Sequence, residues 1–165
     1  MRLFFALWPP RAVAESLHDW AVSVGQGKVS RAEMIHLTLA FLGQVDEERL
    51  AVLKALPIKG ERHSLRIEEA RYWKHNQIVW VGPRHVPERL SALAVGLKAF
   101  LDENKFRTEQ RQFAAHVTLI RKARDPGALA KLPAVRWPVD EFVLVRSRLS
   151  SAGASYEVVR RYPLS

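Results

Sequence analysis

Short apolar segments alternate along the chain with amphipathic segments of helical period. In residues 88–102, Leu90, Leu93, Leu97 and Leu101 recur at helical spacing and predict one apolar helix face. By the same criterion, helices are predicted over residues 11–22, 46–56, 88–102 and 126–132. Strands are predicted over residues 3–8, 35–42 and 114–120, and hairpins over 65–73 with 77–81 and over 140–149 with 155–161.

The predicted elements occur in the same order twice. The order in each half is strand, proline, helix, strand, helix, proline and hairpin arm. The second strand of each half contains the same four-residue frame of histidine, aliphatic residue, threonine and leucine, which is HLTL at 36–39 and HVTL at 116–119. Self-similarity of this kind indicates duplication of an α/β half. We therefore predict a single bilobal domain over residues 1–165, with approximate halves 1–76 and 77–165 related by a pseudo-twofold axis.

Strand alternation divides each frame between two faces, because successive side chains point to opposite sides of a sheet. The apolar face predicted for the first frame, which should meet the helices, consists of Ile35, Leu37, Leu39 and Phe41. His36 and Thr38 then point the other way, as do His116 and Thr118 in the second frame. If the lobes pack about a twofold axis, the two histidine–threonine pairs face each other across a cleft.

Two imidazoles on opposite sides of a cleft suit acid–base chemistry. Histidine gains or loses a proton near neutral pH, so one ring can act as the base and the other as the acid in one turnover. Threonine hydroxyls can donate hydrogen bonds to oxygens that gain charge in the transition state. A phosphodiester offers two non-bridging oxygens, an attacking oxygen and a leaving oxygen to such a set of groups, and a ribose 2′,3′-cyclic phosphate is an apt case.

The paired frames resemble the HxTx signatures of the two-histidine phosphoesterase superfamily, and most of all its RNA 2′,3′-cyclic phosphodiesterases, historically called 2′-5′ RNA ligases. The resemblance extends to the opening RLFFALWPP and the closing SRLSSAGASYEVVRRYPL. It implies an α+β fold in which two antiparallel sheets with outer helices flank a central cleft. It also implies hydrolysis of a terminal 2′,3′-cyclic phosphate to a 2′-phosphate without metal or other cofactor, and in some members weak, reversible 2′-5′ ligation.

The same resemblance implies a role for each residue of the frames. His36 would be the general acid, and His116 would be the general base. Thr38 and Thr118 would hold the phosphate oxygens, with Arg121 as a further phosphate ligand. Strict alternation, however, puts Arg121 on the face opposite His116 and favours Lys122 for that place.

Composition indicates the partner and the compartment of the protein, and two alternative functions remain open. A net charge of +9 suits a polyanionic partner, so RNA is expected. The chain has no cysteine, no HExxH motif and no apolar run of membrane-spanning length, so we expect a cytoplasmic protein that uses no metal and contacts no membrane. We also expect a monomer, because the predicted twofold axis is internal to the chain. The alternatives are a phosphodiesterase acting on a small cyclic nucleotide, such as ADP-ribose cyclic phosphate, and an RNA-binding module without turnover.

Overall fold

The computed structural model describes residues 1–165 and contains ten strands and three α-helices. The strands are β1 (Arg2–Leu7), β2 (Lys28–Val29), β3 (Leu37–Gln44), β4 (His63–Ile67), β5 (Glu69–Trp73), β6 (Ile78–Gly82), β7 (Val117–Arg121), β8 (Val135–Val139), β9 (Glu141–Ser150) and β10 (Gly153–Pro163). The helices are α1 (Arg11–Val24), α2 (Leu50–Lys54) and α3 (Glu88–Glu103). None of them is both long enough and apolar enough to span a membrane.

Most strands form one eight-stranded antiparallel sheet with two wings. The first wing has the order β10-β9-β1-β3, the second has the order β7-β6-β5, and β2 pairs with β7. The wings meet between β3 and β7 at one residue pair, Leu37 with Val117. The strands β4 and β8 form a separate antiparallel sheet. The predicted fold class, α+β with two antiparallel sheets and accompanying helices, is confirmed.

The hydrophobic core is continuous across the two halves of the chain. Its main part is one cluster of 35 buried residues with members from both wings, from α1 and α3, and from the β4–β8 sheet. A smaller cluster of four buried residues consists of Phe4, Ala6, Val143 and Val145. The helix α1 contacts β7 and the helix α3 contacts β3, so each long helix packs against a strand of the other half. This interlocking supports the proposal that residues 1–165 form one bilobal domain.

The residues that flank α1 suit the start and the end of a helix. Pro10 precedes the first turn, where a missing N–H costs nothing, and Gly25 follows the last turn with a φ of 65°. Between them Val13, Leu17 and Trp20 form the buried face. The predicted helix over 11–22 is therefore confirmed, with its end two residues later.

The predicted helix over 126–132 is wrong, because this segment is not helical. Gly127, its second residue, has a left-handed conformation with a φ of 66°, and Pro133 follows the segment. The carbonyl of Ala130 instead accepts a hydrogen bond from Trp20 Nε1 at 3.3 Å. The predicted strand over 65–73 is divided between β4 and β5, and β4 pairs with β8, a strand that the sequence reading missed.

A β-bulge in β3 overturns the predicted orientation of Phe41. Thr38 pairs with Ala6 and Ala40 pairs with Phe5, so Leu39 is left as an extra residue in β3. A bulge of this kind shifts the alternation of the side chains that follow it by one position, here up to a second irregularity at Leu42. Phe41 consequently lies beside Phe4 on the cleft side, with its ring centroid 5.8 Å from that of Phe4, and not on the face that meets the helices.

An equivalent bulge in β7 reorients Arg121. Thr118 pairs with Trp80 and Ile120 pairs with Val79, which leaves Leu119 as the extra residue. Leu119 and Ile120 are both fully buried, and Arg121 lies on the side of Thr118. The preference for Lys122 that follows from strict alternation is therefore wrong, because the strand does not alternate strictly.

Candidate active site

Both HxTx frames line one cavity of about 460 Å³. Leu37 lies opposite Val117 in an antiparallel pair, and both are fully buried, so the residues on either side of them point away from the core. Because the pair is antiparallel, Thr38 and His116 flank it on one side and His36 and Thr118 flank it on the other. The residues of this cavity that the sequence singled out are His36, Thr38, His116, Thr118 and Arg121; Lys122 does not line it.

The two histidine rings are oriented by the same local hydrogen bond. Nδ1 of His36 lies 2.7 Å from the carbonyl oxygen of Met34, and Nδ1 of His116 lies 2.9 Å from that of Ala114. Because a carbonyl only accepts, Nδ1 carries the hydrogen in both rings. Nε2 is thereby left as the nitrogen that can exchange a proton with a bound molecule.

Tryptophan rings support both histidines. The ring of Trp8 stacks on that of His36 at 4.7 Å and an interplanar angle of 8°, and Trp8 Nε1 donates to the carbonyl of Glu33 at 3.2 Å. The ring of Trp73 packs against that of His116 at 4.9 Å and 58°. These contacts limit the orientations open to each imidazole.

His36 has the more enclosed ring of the two. Besides Trp8, the rings of Phe4 and Tyr156 contact it at 5.1 Å and 5.4 Å. Desolvation by this burial lowers the pKa of His36 from 6.5 to about 4; the hydrogen bond to Met34 opposes the shift, and the positive charges of Arg121 and His116 add to it. His36 is therefore uncharged at neutral pH in the free protein, and an anion in the cavity would raise its pKa.

The sequence alone does not separate the aromatic residues around the histidines from the aromatic residues of the core. Trp8, Trp73 and Tyr156 had no distinguishing signal, because their contacts with the frames come from strands that are distant in sequence. Trp20 and Trp137, by contrast, are buried in the core. Nowhere does the structure bring together three His, Cys, Asp or Glu side chains in a group suited to a metal ion.

The cavity thus combines two imidazoles, two hydroxyl groups and one guanidinium. Comparison with known proteins shows to which family a chain with this cavity belongs. The family model for LigT-like phosphoesterases matches the chain twice, over residues 7–80 and 81–156. The chain belongs to the LigT-like phosphoesterase family. Each of the two matches contains one HxTx frame.

This LigT-like phosphoesterase resembles its relatives over nearly its whole length. It is 30% identical to the RNA 2′,3′-cyclic phosphodiesterase of Escherichia coli, covering 99% of this chain and 97% of that protein. It is 32% identical to the enzyme of the same name from Thermus thermophilus, covering 99% and 90%. The crystal structure of E. coli LigT complexed with 3′-AMP superposes with a TM-score of 0.93 at 29% identity, covering 99% and 98% of the two chains.

Proposed function

We propose that this protein hydrolyses RNA 2′,3′-cyclic phosphate ends to 2′-phosphomonoesters. The observation that carries the proposal is that both HxTx frames, from distant parts of the chain, line one cavity. The relatives named RNA 2′,3′-cyclic phosphodiesterase and the LigT complex with 3′-AMP support the same substrate class.

The proposed reaction places the phosphorus atom between the two histidines. Nε2 of His116 takes a proton from a water molecule, whose oxygen forms the new bond to phosphorus. The bond from phosphorus to the 3′ oxygen breaks, and Nε2 of His36 donates its proton to that departing oxygen. The product carries a 2′-phosphate and a 3′-hydroxyl, and solvent returns both histidines to their starting states.

The remaining polar groups of the cavity would hold the non-bridging oxygens. Thr38 and Thr118 would donate from their hydroxyls, and the Arg121 guanidinium would offset the negative charge. The negative charge of the phosphate would also stabilise the imidazolium form of His36, which burial disfavours. His36 must be in this form to act as the acid. A 5′-hydroxyl in place of water would join two RNA ends through a 2′-5′ linkage by the same steps.

The proposed setting is a monomer in the cytoplasm that acts on RNA. The two halves of the proposed active site are related by a twofold axis within one chain, so the site needs no second copy of the protein. A chain without cysteine also forms no disulfides, as is usual for proteins of reducing compartments.

The test is hydrolysis of an oligonucleotide ending in a 2′,3′-cyclic phosphate, in the presence of excess EDTA. We expect full activity of the wild type, and a loss of about 10²–10⁴-fold in kcat for His36→Ala and for His116→Ala, since each removes one proton transfer. His85→Ala, a change of an exposed histidine outside the cavity, is the matched control and should keep wild-type activity. Near wild-type turnover by either frame variant, or loss of activity with EDTA, would contradict the proposal.

A further inference from the structure

The short strand β2 places a second basic side chain beside Arg121. Lys28 is the partner of Arg121 in the antiparallel pairing of β2 with β7, and partners in such a pair project from the same face of the sheet. Since Arg121 faces the cleft, Lys28 faces it too. The next two residues fit this orientation, because Val29 packs against the core and Ser30 lines the cavity of the two histidines.

Lys28 lies at one end of the cleft. The strand β3 pairs with β7 at a single residue pair, and β2 pairs with β7 further along, at residues 120 and 121. This is the side of the pair on which His36 and Thr118 lie. Lys28 itself does not line the cavity of the two histidines, so it lies at the rim, beyond the groups that would hold the cyclic phosphate.

The backbone that carries Lys28 is held tightly against β7. A β-carbon at Gly27 would lie 2.7 Å from the carbonyl oxygen of Arg121, so only glycine allows the two backbones to approach this closely. The backbone N–H of Arg124 donates a hydrogen bond to the carbonyl oxygen of Gln26 at 2.8 Å. These contacts fix the backbone of a strand that is only two residues long, and with it the point from which the Lys28 side chain extends.

The two cations have no negative partner within the protein. Neither Lys28 nor Arg121 forms an ion pair with a carboxylate, whereas other basic residues of the chain do. Like charges directly opposite each other destabilise a sheet, and the charge of Arg121 also lowers the pKa of His36. The arrangement is therefore unfavourable in the free protein, and a bound anion would offset the repulsion.

The cyclic phosphate alone does not account for both cations. In the proposed reaction the two threonine hydroxyls and the Arg121 guanidinium hold its non-bridging oxygens, and Lys28 lies outside that group. In an RNA end the nearest further phosphate is attached to the 5′ oxygen of the same ribose. A guanidinium has five N–H donors, so Arg121 can donate to the cyclic phosphate and to this second phosphate at once.

We propose that Lys28 and Arg121 bind a second phosphate of the substrate, the one attached to the 5′ oxygen of the nucleotide that carries the cyclic phosphate. The inference rests on the proposed function, since it starts from the cyclic phosphate at the two histidines. In an RNA this second phosphate is the linkage to the preceding nucleotide, and in a mononucleotide it is a free 5′-phosphate. The site thereby gives the enzyme a preference for a 5′-phosphorylated end over a nucleoside cyclic phosphate.

The experiment compares three substrates with the same reacting group. They are adenosine 2′,3′-cyclic phosphate, its 5′-phosphorylated form, and the dinucleotide ApA with a 2′,3′-cyclic phosphate end. The wild type should have a higher kcat/KM for each of the two substrates with a second phosphate than for the first.

The decisive variant is Lys28→Met, which keeps the stem of the side chain without its charge. It should reduce the preference for both phosphorylated substrates about 3- to 10-fold, the effect of losing one charged hydrogen bond at a partly exposed site. Lys28→Arg should retain the preference, since it retains the charge.

Lys122→Met is the matched control. It removes the same charge from a neighbour of Arg121 that does not line the cavity, so it should keep the wild-type preference. Thermal unfolding separates an effect on binding from an effect on folding. Because Lys28→Met removes a repulsion, its Tm without substrate should equal or exceed that of the wild type.

Four outcomes would overturn the site. An unchanged preference in Lys28→Met would show that Lys28 binds no phosphate. Equal losses for this variant on all three substrates, with a lower Tm, would make Lys28 a structural residue. The same loss for Lys122→Met would show a general effect of net charge. An effect on only one of the two phosphorylated substrates would mean that Lys28 does not bind the phosphate that they share.

Failure of the proposed function would give a different result. If the wild type hydrolyses none of the three substrates, the proposed function itself is wrong, so the two failures are distinguishable.

Discussion

The two histidines share a backbone hydrogen bond and differ in what covers their rings. Both hold Nδ1 against the carbonyl two residues earlier, which is a consequence of the local strand entry. Three aromatic rings enclose His36, whereas Trp73 and Trp80 contact His116. The burial of His36 therefore sets its proton affinity, and the proposed acid becomes competent only when an anion offsets that burial.

The pH dependence of His36 follows from this arrangement. In an NMR titration of the imidazole carbon-bound protons, His36 should titrate near pH 4 in the free protein and at higher pH with saturating inorganic phosphate, because the anion stabilises the charged ring. Between pH 4 and the raised pKa of the ring in the complex, phosphate binding should then be accompanied by proton uptake. A His36 that titrates near 6.5 in the free protein, or that phosphate leaves unshifted, would contradict this prediction.

At the scale of elements, the site depends on how β6, β7 and their neighbours fit together. Gly82 at the end of β6 is a tight point, since a β-carbon there would lie 2.6 Å from the carbonyl oxygen of Ala115 and 3.3 Å from the Trp80 ring. Ala115 directly precedes His116, so the close approach of these two backbones helps to set the position of His116 and of β7, which follows it.

Gly82→Ala should therefore lower the free energy of unfolding by about 1–3 kcal/mol, the usual effect of overpacking, as measured by urea denaturation. It should also lower kcat, because the displaced carbonyl carries His116 with it. Gly96→Ala is the control, since the nearest atom to its β-carbon is at 3.9 Å and alanine is the better helix former inside α3. Equal stability of Gly82→Ala and the wild type would show that the strands have room to move apart.

At the scale of the whole molecule, the excess of positive charge favours RNA over a small cyclic nucleotide as the substrate. The net charge is +9, and Arg2 and Arg121 both line the cavity of the two histidines without an ion-pair partner. A substrate that continues beyond its terminal nucleotide would meet this charge with further phosphates.

The dependence of kcat/KM on salt should accordingly be steeper for a tetranucleotide with a cyclic phosphate end than for the corresponding mononucleotide. Each additional phosphate contact should add about 0.7 to the magnitude of the slope of log(kcat/KM) against log[KCl]. Equal slopes would favour the small-molecule alternative, which competition with ADP-ribose cyclic phosphate would then examine directly.

The elements that sequence predicted correctly are those whose signal is local. The leucines of α3 recur at helical spacing, and the prolines before α1 and α3 permit a helix start, so both helices are confirmed. The segment over 126–132 also has apolar residues, but its conformation is decided by contacts such as the bond from Trp20 to Ala130. The strand β8 contains Pro138, which lowers its strand signal, and it exists because β4 pairs with it.

What the sequence by itself determined is the chemistry: two HxTx frames in a duplicated order, each with an imidazole and a hydroxyl on one face, because strand alternation is a local property. What only the tertiary structure decided is which other residues join them. The direction of Phe41 and Arg121 depends on bulges, and a bulge depends on the register against β1 or β6. Register is a relation between segments far apart in the chain, so no local pattern encodes it.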